Sequence, residues 1–115
     1  MTTNGELSEI ADLLDDSYAR DILAETSIEP RSAKMLSEHC DASLPTVYRR
    51  IERLQEHDLL TAQQQLAPDG NHYKTYEARL ERVSIDLTNG TYTVKITRTK
   101  QGAADRFSDL VEEMK

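Results

Sequence analysis

The chain has 115 residues, enough for one domain, because a single hydrophobic core stops growing only beyond roughly 250 residues. Its 21 acidic and 14 basic residues leave a net charge of −7 and a pI near 4.9, a balance that argues against nonspecific binding to polyanions or membranes. With 37% apolar and 30% charged residues, a folded core is expected rather than wholesale disorder.

The acidic excess belongs to the first elements: residues 1–30 hold eight acids and one base, whereas residues 31–115 hold thirteen of each. Leu7, Ile10, Ala11 and Leu14 recur at helical spacing, and Tyr18, Ile22 and Leu23 follow after Asp15-Asp16-Ser17. This pattern predicts two helices with a capped break between them, the second ending near Thr26, ahead of Pro30. Ser32 is a good N-cap for a third helix over residues 33–40, with Ala33, Leu36 and Cys40 on its inner face. Ser43 caps a fourth, residues 43–57, and Pro45 sits in its first turn, where a missing N–H costs nothing. At 100° per residue Val47, Ile51 and Leu54 share one stripe; Pro45, Thr46, Arg49, Glu52 and Arg53 lie opposite, and Tyr48 and Arg50 flank the boundary.

Residues 59–66 and 73–80 are strand-like runs around the turn chemistry of Ala67-Pro68-Asp69-Gly70-Asn71-His72, a hairpin with a long tip. A second hairpin is better specified, because Asn89-Gly90 is the preferred two-residue type I′ loop between two alternating runs. That loop sets Leu87 opposite Tyr92, Ile85 opposite Val94 and Val83 opposite Ile96, all on one face. Residues 100–115 are expected to form a helix with Ala103, Phe107, Leu110, Val111 and Met114 on one side. A lone hairpin is marginal in water. The ribbon residues Val83, Ile85, Leu87, Tyr92, Val94 and Ile96, with Phe107, Leu110, Val111 and Met114, are therefore the candidates for a dimer interface.

Helix, short turn, helix and hairpin together predict an α+β winged helix-turn-helix, extended by a C-terminal β-hairpin and a C-terminal helix. Residues 1–80 form the DNA-binding region and residues 81–115 a dimerisation extension of the same domain. The layout suits double-stranded DNA for a geometric reason: a helix fits the major groove, and a hairpin tip reaches the neighbouring backbone or minor groove. On this reading Thr46 and Arg49 reach bases, while Arg50, Arg53 and the Ser43 hydroxyl hold phosphates. Pro45 and Tyr48 share or border the face, and His72 and Lys74 meet the backbone from the wing. Against this stands a solvated helix face, its arginines paired with Glu52 and Glu56. The alternative function is a winged-helix module for protein–protein contacts without specific DNA binding.

Three stretches carry a more specific likeness: Tyr18-Ala19-Arg20-Asp21-Ile22-Leu23, Arg31-Ser32-Ala33-Lys34, and the run from Ser43 to Leu54. With the wing run from Pro68 to Ala78 and a composition holding five lysines, the chain resembles the small ArsR-like winged-helix regulators of halophilic archaea, over roughly residues 6–98. The resemblance implies a dimeric DNA-binding transcription regulator. Two positions depart from it. Where ArsR-type metal sensors carry a Cys-x-Cys pair, this chain has Ser32 and Lys34, which excludes metal sensing by that site. Where the wider group has Gly before the wing, Asp58 stands here, so a non-glycine must take the left-handed cap at some cost.

No cofactor, metal or small-molecule ligand is evident. The single cysteine, Cys40, excludes an intramolecular disulfide. With His39 beside it, it cannot supply the three or four ligands zinc needs, and it is expected to be a small buried hydrophobe. No Gly-rich phosphate loop or nucleophile–His arrangement points to an enzyme. No apolar run reaches the roughly 18 residues that span a bilayer, and residues 1–10 lack a signal-peptide pattern, so a cytoplasmic protein is expected. The expected partners are a second copy of the chain and an operator, an inverted repeat.

Overall fold

Three of the four helices among the described residues begin where a side chain replaces the backbone partner that a first turn lacks. In the computed structural model, which describes residues 4–99, the order is α1 (Asn4–Asp15), α2 (Ser17–Ile28), α3 (Ala33–His39), α4 (Leu44–Glu56), β1 (Leu60–Leu66), β2 (His72–Ala78), β3 (Leu80–Thr88) and β4 (Thr91–Arg98). Asp16 Oδ1 accepts from the Ala19 amide at 3.1 Å, the Ser32 hydroxyl from Met35 at 3.2 Å and the Ser43 hydroxyl from Thr46 at 3.3 Å. These caps start α2, α3 and α4.

The closing turns of α3 and α4 share one geometry. Asp41 (φ 51°) and Asp58 (φ 56°) both take the left-handed conformation. After α4 the Asp58 amide donates to Gln55 O at 3.0 Å and the Leu59 amide to Leu54 O at 2.9 Å, the paired bonds of a Schellman motif. Leu54 and Leu59 are fully buried in one core cluster and supply the apolar contact of that motif. Arg98 adds a cationic cap from β4, its Nη2 donating to His57 O at 2.8 Å and its Nε to Asp58 O at 3.1 Å. A side chain in this conformation costs about 1–2 kcal/mol. Glycine also gains unfolded-state entropy, so Asp58→Gly is expected to stabilise the fold by about 0.5 kcal/mol. A raised urea midpoint agrees with that reading; a lowered one means the Asp58 side chain holds the turn in another way.

The core gathers Leu13, Ile22, Leu36, Val47, Leu54 and Leu59, all at 0% exposure, under Leu60, Tyr76 and Ala78 of the first hairpin. Val47, Ile51 and Leu54 form the inner stripe of α4 as their spacing predicts. The stripe expected on α1 needs correction: Ala11 is exposed and Leu13 is completely buried. The helix packs against α2 and also against β4, which rotates its buried face toward Leu13. Cys40 is buried at the end of α3, as expected.

β1 and β2 pair antiparallel, from Leu60 opposite Ala78 to Leu66 opposite His72. Gly70 (φ 88°) turns the tip, closed by Ala67 N–H to Asn71 O at 2.8 Å. Arg31 adds a single-residue bridge on the other side of β2, exchanging two backbone bonds with Tyr76 at 3.1 and 2.8 Å. The chain entering α3 is thereby fastened to the wing.

The second hairpin has the register its loop predicts: Leu87 faces Tyr92, Ile85 faces Val94 and Val83 faces Ile96. Asn89 (φ 52°) and Gly90 (φ 80°) both have the positive φ that a type I′ turn requires. Among the described residues, Val94 of this ribbon is buried and Leu80 and Ile96 pack against the core. Ile85, Leu87 and Tyr92 remain 55%, 60% and 45% exposed. The helix expected over residues 100–115, with Phe107, Leu110, Val111 and Met114, lies outside the described residues. The arrangement is α+β: a winged helix-turn-helix followed by an additional hairpin.

Candidate nucleic-acid interface

The outer face of α4 starts at its cap. Ser43 Oγ accepts from the Thr46 amide and donates to Thr46 Oγ1 at 2.9 Å, and Arg49 Nη2 donates to the same oxygen at 3.4 Å. Ser43, Thr46 and Arg49 thus form one row along the first turns, and Thr46, accepting from both neighbours, keeps its own hydroxyl proton to offer. Ser43, Pro45, Tyr48 and Arg49 are exposed, and Thr46 and Arg53 are half-buried.

Arg50 is placed differently. Its Nε donates to Asp16 Oδ2 at 2.5 Å, and its guanidinium lies 5.9 Å from the centre of the Tyr18 ring. Both partners of the ion pair are less than a quarter exposed. The Asp16 carboxylate therefore does two jobs, capping α2 with one oxygen and anchoring α4 with the other. Of the three arginines on α4, Arg50 alone is engaged by an internal carboxylate.

Burial by itself raises the Asp16 carboxyl. The Ala19 amide, the Arg50 guanidinium and the Tyr18 amide together outweigh it, and the pKa falls below its ordinary value of 3.8. A carboxyl lowered on folding contributes stability above its unfolded pKa and loses it as pH falls through the folded value. Asp16→Asn keeps a capping oxygen but strands Arg50. It is expected to cost about 1–3 kcal/mol at pH 7, with the gap to wild type closing in acid as the pH falls below 3.8 and through the lowered folded value. Urea unfolding at both pH values checks this, and a gap that persists in acid refutes the ion-pair account.

Carboxylates engage some of the basic side chains and leave others. Arg31 pairs with Glu25 and Glu29, Arg50 with Asp16, His39 with Glu25 and His57 with Glu9. The partner acids all come from the first 30 residues, where the excess of negative charge resides. Among the described residues Arg49, Arg53, Lys34 and Lys74 have no carboxylate within ion-pair distance. No pair joins Arg49 or Arg53 to Glu52 or Glu56 either.

The wing brings more of these groups together. A groove of about 570 Å³ runs between the start of α3, Tyr48 of α4 and β2, and its walls include Lys34, His72, Tyr73 and Lys74. His72 and Lys74 thus lie across a groove from Tyr48, the neighbour of Arg49. Spacing alone does not single out Lys34 and Tyr73, because their relation to Tyr48 depends on the Arg31–Tyr76 bridge between distant segments.

Cys40 stands apart from this surface. Burial raises its thiol pKa, and Asp21 and Glu25 raise it further, so the reactive thiolate is disfavoured. Among the described residues no three His, Cys, Asp or Glu side chains converge as metal ligands. No described helix is long and apolar enough to cross a membrane.

Residues 14–63 match the family model for a helix-turn-helix domain. The match runs from the end of α1 through α2, α3 and α4 into β1, and so contains the Ser43–Thr46–Arg49 row and the Asp16–Arg50 anchor. It points to DNA binding and transcription regulation. No curated protein matches the chain.

Proposed function

We propose that the protein is a sequence-specific, double-stranded DNA-binding transcription regulator of the ArsR-like type, acting as a cytoplasmic homodimer. The observation that carries this reading is a contrast along one helix: Arg50 is matched to Asp16, whereas among the described residues Arg49 and Arg53 on the outer face of α4, and Lys34 and Lys74 beside the wing, have no carboxylate within ion-pair distance. An unpaired cation beside a helix that fits the major groove is available to phosphates and bases without first breaking an internal bond.

In this reading α4 enters the major groove. Thr46 and Arg49 meet base edges, and Pro45 supplies an apolar contact. Ser43, Tyr48 and Arg53 hold the flanking phosphates, and His72 and Lys74 hold the backbone beside the wing. Arg50 serves chiefly as a positioning residue, because reaching a phosphate requires leaving Asp16. The exposed apolar face of Ile85, Leu87 and Tyr92 supports dimerisation through the second hairpin. Twofold symmetry then sets two reading helices about 34 Å apart on an inverted repeat, with half-sites about 10 base pairs apart or a multiple of that.

Selection of bound duplexes from a random pool by the full chain tests the proposal. Enrichment of one inverted-repeat motif is the expected result. Failure to enrich any sequence, together with capture of a protein partner by the same face, replaces it with the protein-interaction reading.

A further inference from the structure

The groove between α3, Tyr48 and β2 is more concave than a phosphate contact requires. Ala33 and Tyr76, each 5% exposed, form its buried floor, and Tyr48 and Tyr73, 53% and 46% exposed, stand at its rim. Its basic side chains are Lys34, His72 and Lys74, and no carboxylate contributes to its walls in a chain that holds 21 acids. Ser32 lines it too; its oxygen accepts from the Met35 amide, which leaves the hydroxyl proton to donate outward. Burial and the neighbouring Tyr48 push the Tyr76 pKa up, so its hydroxyl remains a donor at neutral pH.

These features ask for a ligand with two parts. The lysines and hydroxyls fit an anion, and the tyrosine rings over an apolar floor fit a planar ring. A volume of about 570 Å³ lies within the range of roughly 300–1,000 Å³ that small-molecule sites occupy. A B-form duplex presents phosphates at its convex edge but keeps its base faces stacked, so it leaves the floor unfilled. A free nucleotide presents both parts at once.

We propose that this groove binds a small phosphate-bearing planar ligand of the nucleoside monophosphate class, and that this ligand and operator DNA exclude each other. The exclusion rests on the DNA-binding reading, because Tyr48, His72 and Lys74 serve both; the ligand site itself does not. Such a ligand acts as an effector, releasing the regulator from its operator as its concentration rises.

Calorimetric titration of the full chain with adenosine 5′-monophosphate, adenosine and inorganic phosphate tests the site. The expected result is binding of the monophosphate with Kd at or below about 1 mM, and of the two fragments at least about tenfold more weakly. Lys34→Ala and Tyr73→Ala should each weaken the monophosphate about tenfold, while Arg82→Ala on exposed β3 leaves it unchanged; circular dichroism checks that each variant folds. With the monophosphate at about ten times its Kd, the apparent operator Kd should rise about elevenfold. Absence of monophosphate binding, or binding indifferent to both groove variants, overturns the site. Phosphate binding as tightly as the monophosphate overturns the planar part of the ligand. Weaker operator binding by Lys34→Ala without any monophosphate binding assigns the groove to the DNA strand instead. Monophosphate binding with unchanged operator affinity overturns the exclusion, whereas monophosphate binding by a chain that selects no duplex sinks the DNA reading and leaves the site standing.

Discussion

Arg49→Ala should weaken binding to the selected operator by about 1–3 kcal/mol per half-site, roughly 5- to 150-fold, and relax the preference at one base position. The size of the effect follows from what Arg49 does not do inside the protein. It is exposed, has no carboxylate partner among the described residues, and makes one long hydrogen bond of 3.4 Å to Thr46. Its removal strands no buried group, so thermal unfolding should be unchanged within about 0.5 kcal/mol. Arg53→Ala is the useful contrast. Taking away a cation that holds a phosphate weakens all sequences about equally and lowers the salt dependence by about one unit of slope. Undiminished operator binding by Arg49→Ala removes base reading from α4.

If the proposed dimer forms through the second hairpin, Leu87→Lys should convert it to monomer at concentrations where wild type sediments as a dimer, and weaken operator binding by at least about 100-fold. Leu87 is 60% exposed beside Ile85 and Tyr92, so the substitution leaves the folded protomer intact. In a symmetric interface each such side chain is buried twice, and full burial of a large apolar side chain is worth about 1.5–3 kcal/mol. A lysine at that position replaces the gain with two facing charges. Affinity falls because the second half-site, bound within an already anchored dimer, benefits from a high effective concentration that a monomer lacks. Sedimentation velocity and operator titration read the two effects separately. An unaltered dimer moves the interface elsewhere.

Arg98 links these two surfaces. Its guanidinium ties the root of β4 to the last carbonyls of α4, so the ribbon carries α4 with it. In the proposed dimer, whatever orients one ribbon against another also orients the two copies of α4.

Much of this architecture is legible in the sequence because it depends on local chemistry. Ser32 and Ser43 announce helix starts, Val47, Ile51 and Leu54 mark an inner stripe, and Asn89-Gly90 sets the register of the strands on either side. Asp58 is expected in the left-handed cap, and φ 56° is what it adopts. What stays hidden depends on segments far apart in the chain. The exposure of Ala11 and burial of Leu13 follow from β4 packing on α1, which no local period encodes. The engagement of Arg50 by Asp16 joins residues 34 positions apart, and a helical wheel places Arg50 only at a boundary. The groove shared by Lys34, Tyr48 and Tyr73 needs three elements in register before it exists. The meaning of the −7 charge also depends on the fold. As a total it argues against nucleic acid, but in the folded chain Asp16, Glu25 and Glu29 are set against Arg50 and Arg31, and the outer face of α4 keeps Arg49 and Arg53 free of carboxylates among the described residues.

The central claim is that this face reads sequence, and the most direct test compares two affinities at one salt concentration. The full chain is titrated with the selected inverted repeat and with a duplex of the same length and composition in scrambled order, near physiological ionic strength. The expected ratio of dissociation constants is at least about 10³. Equal affinity for the two duplexes, or no binding to either, contradicts the account.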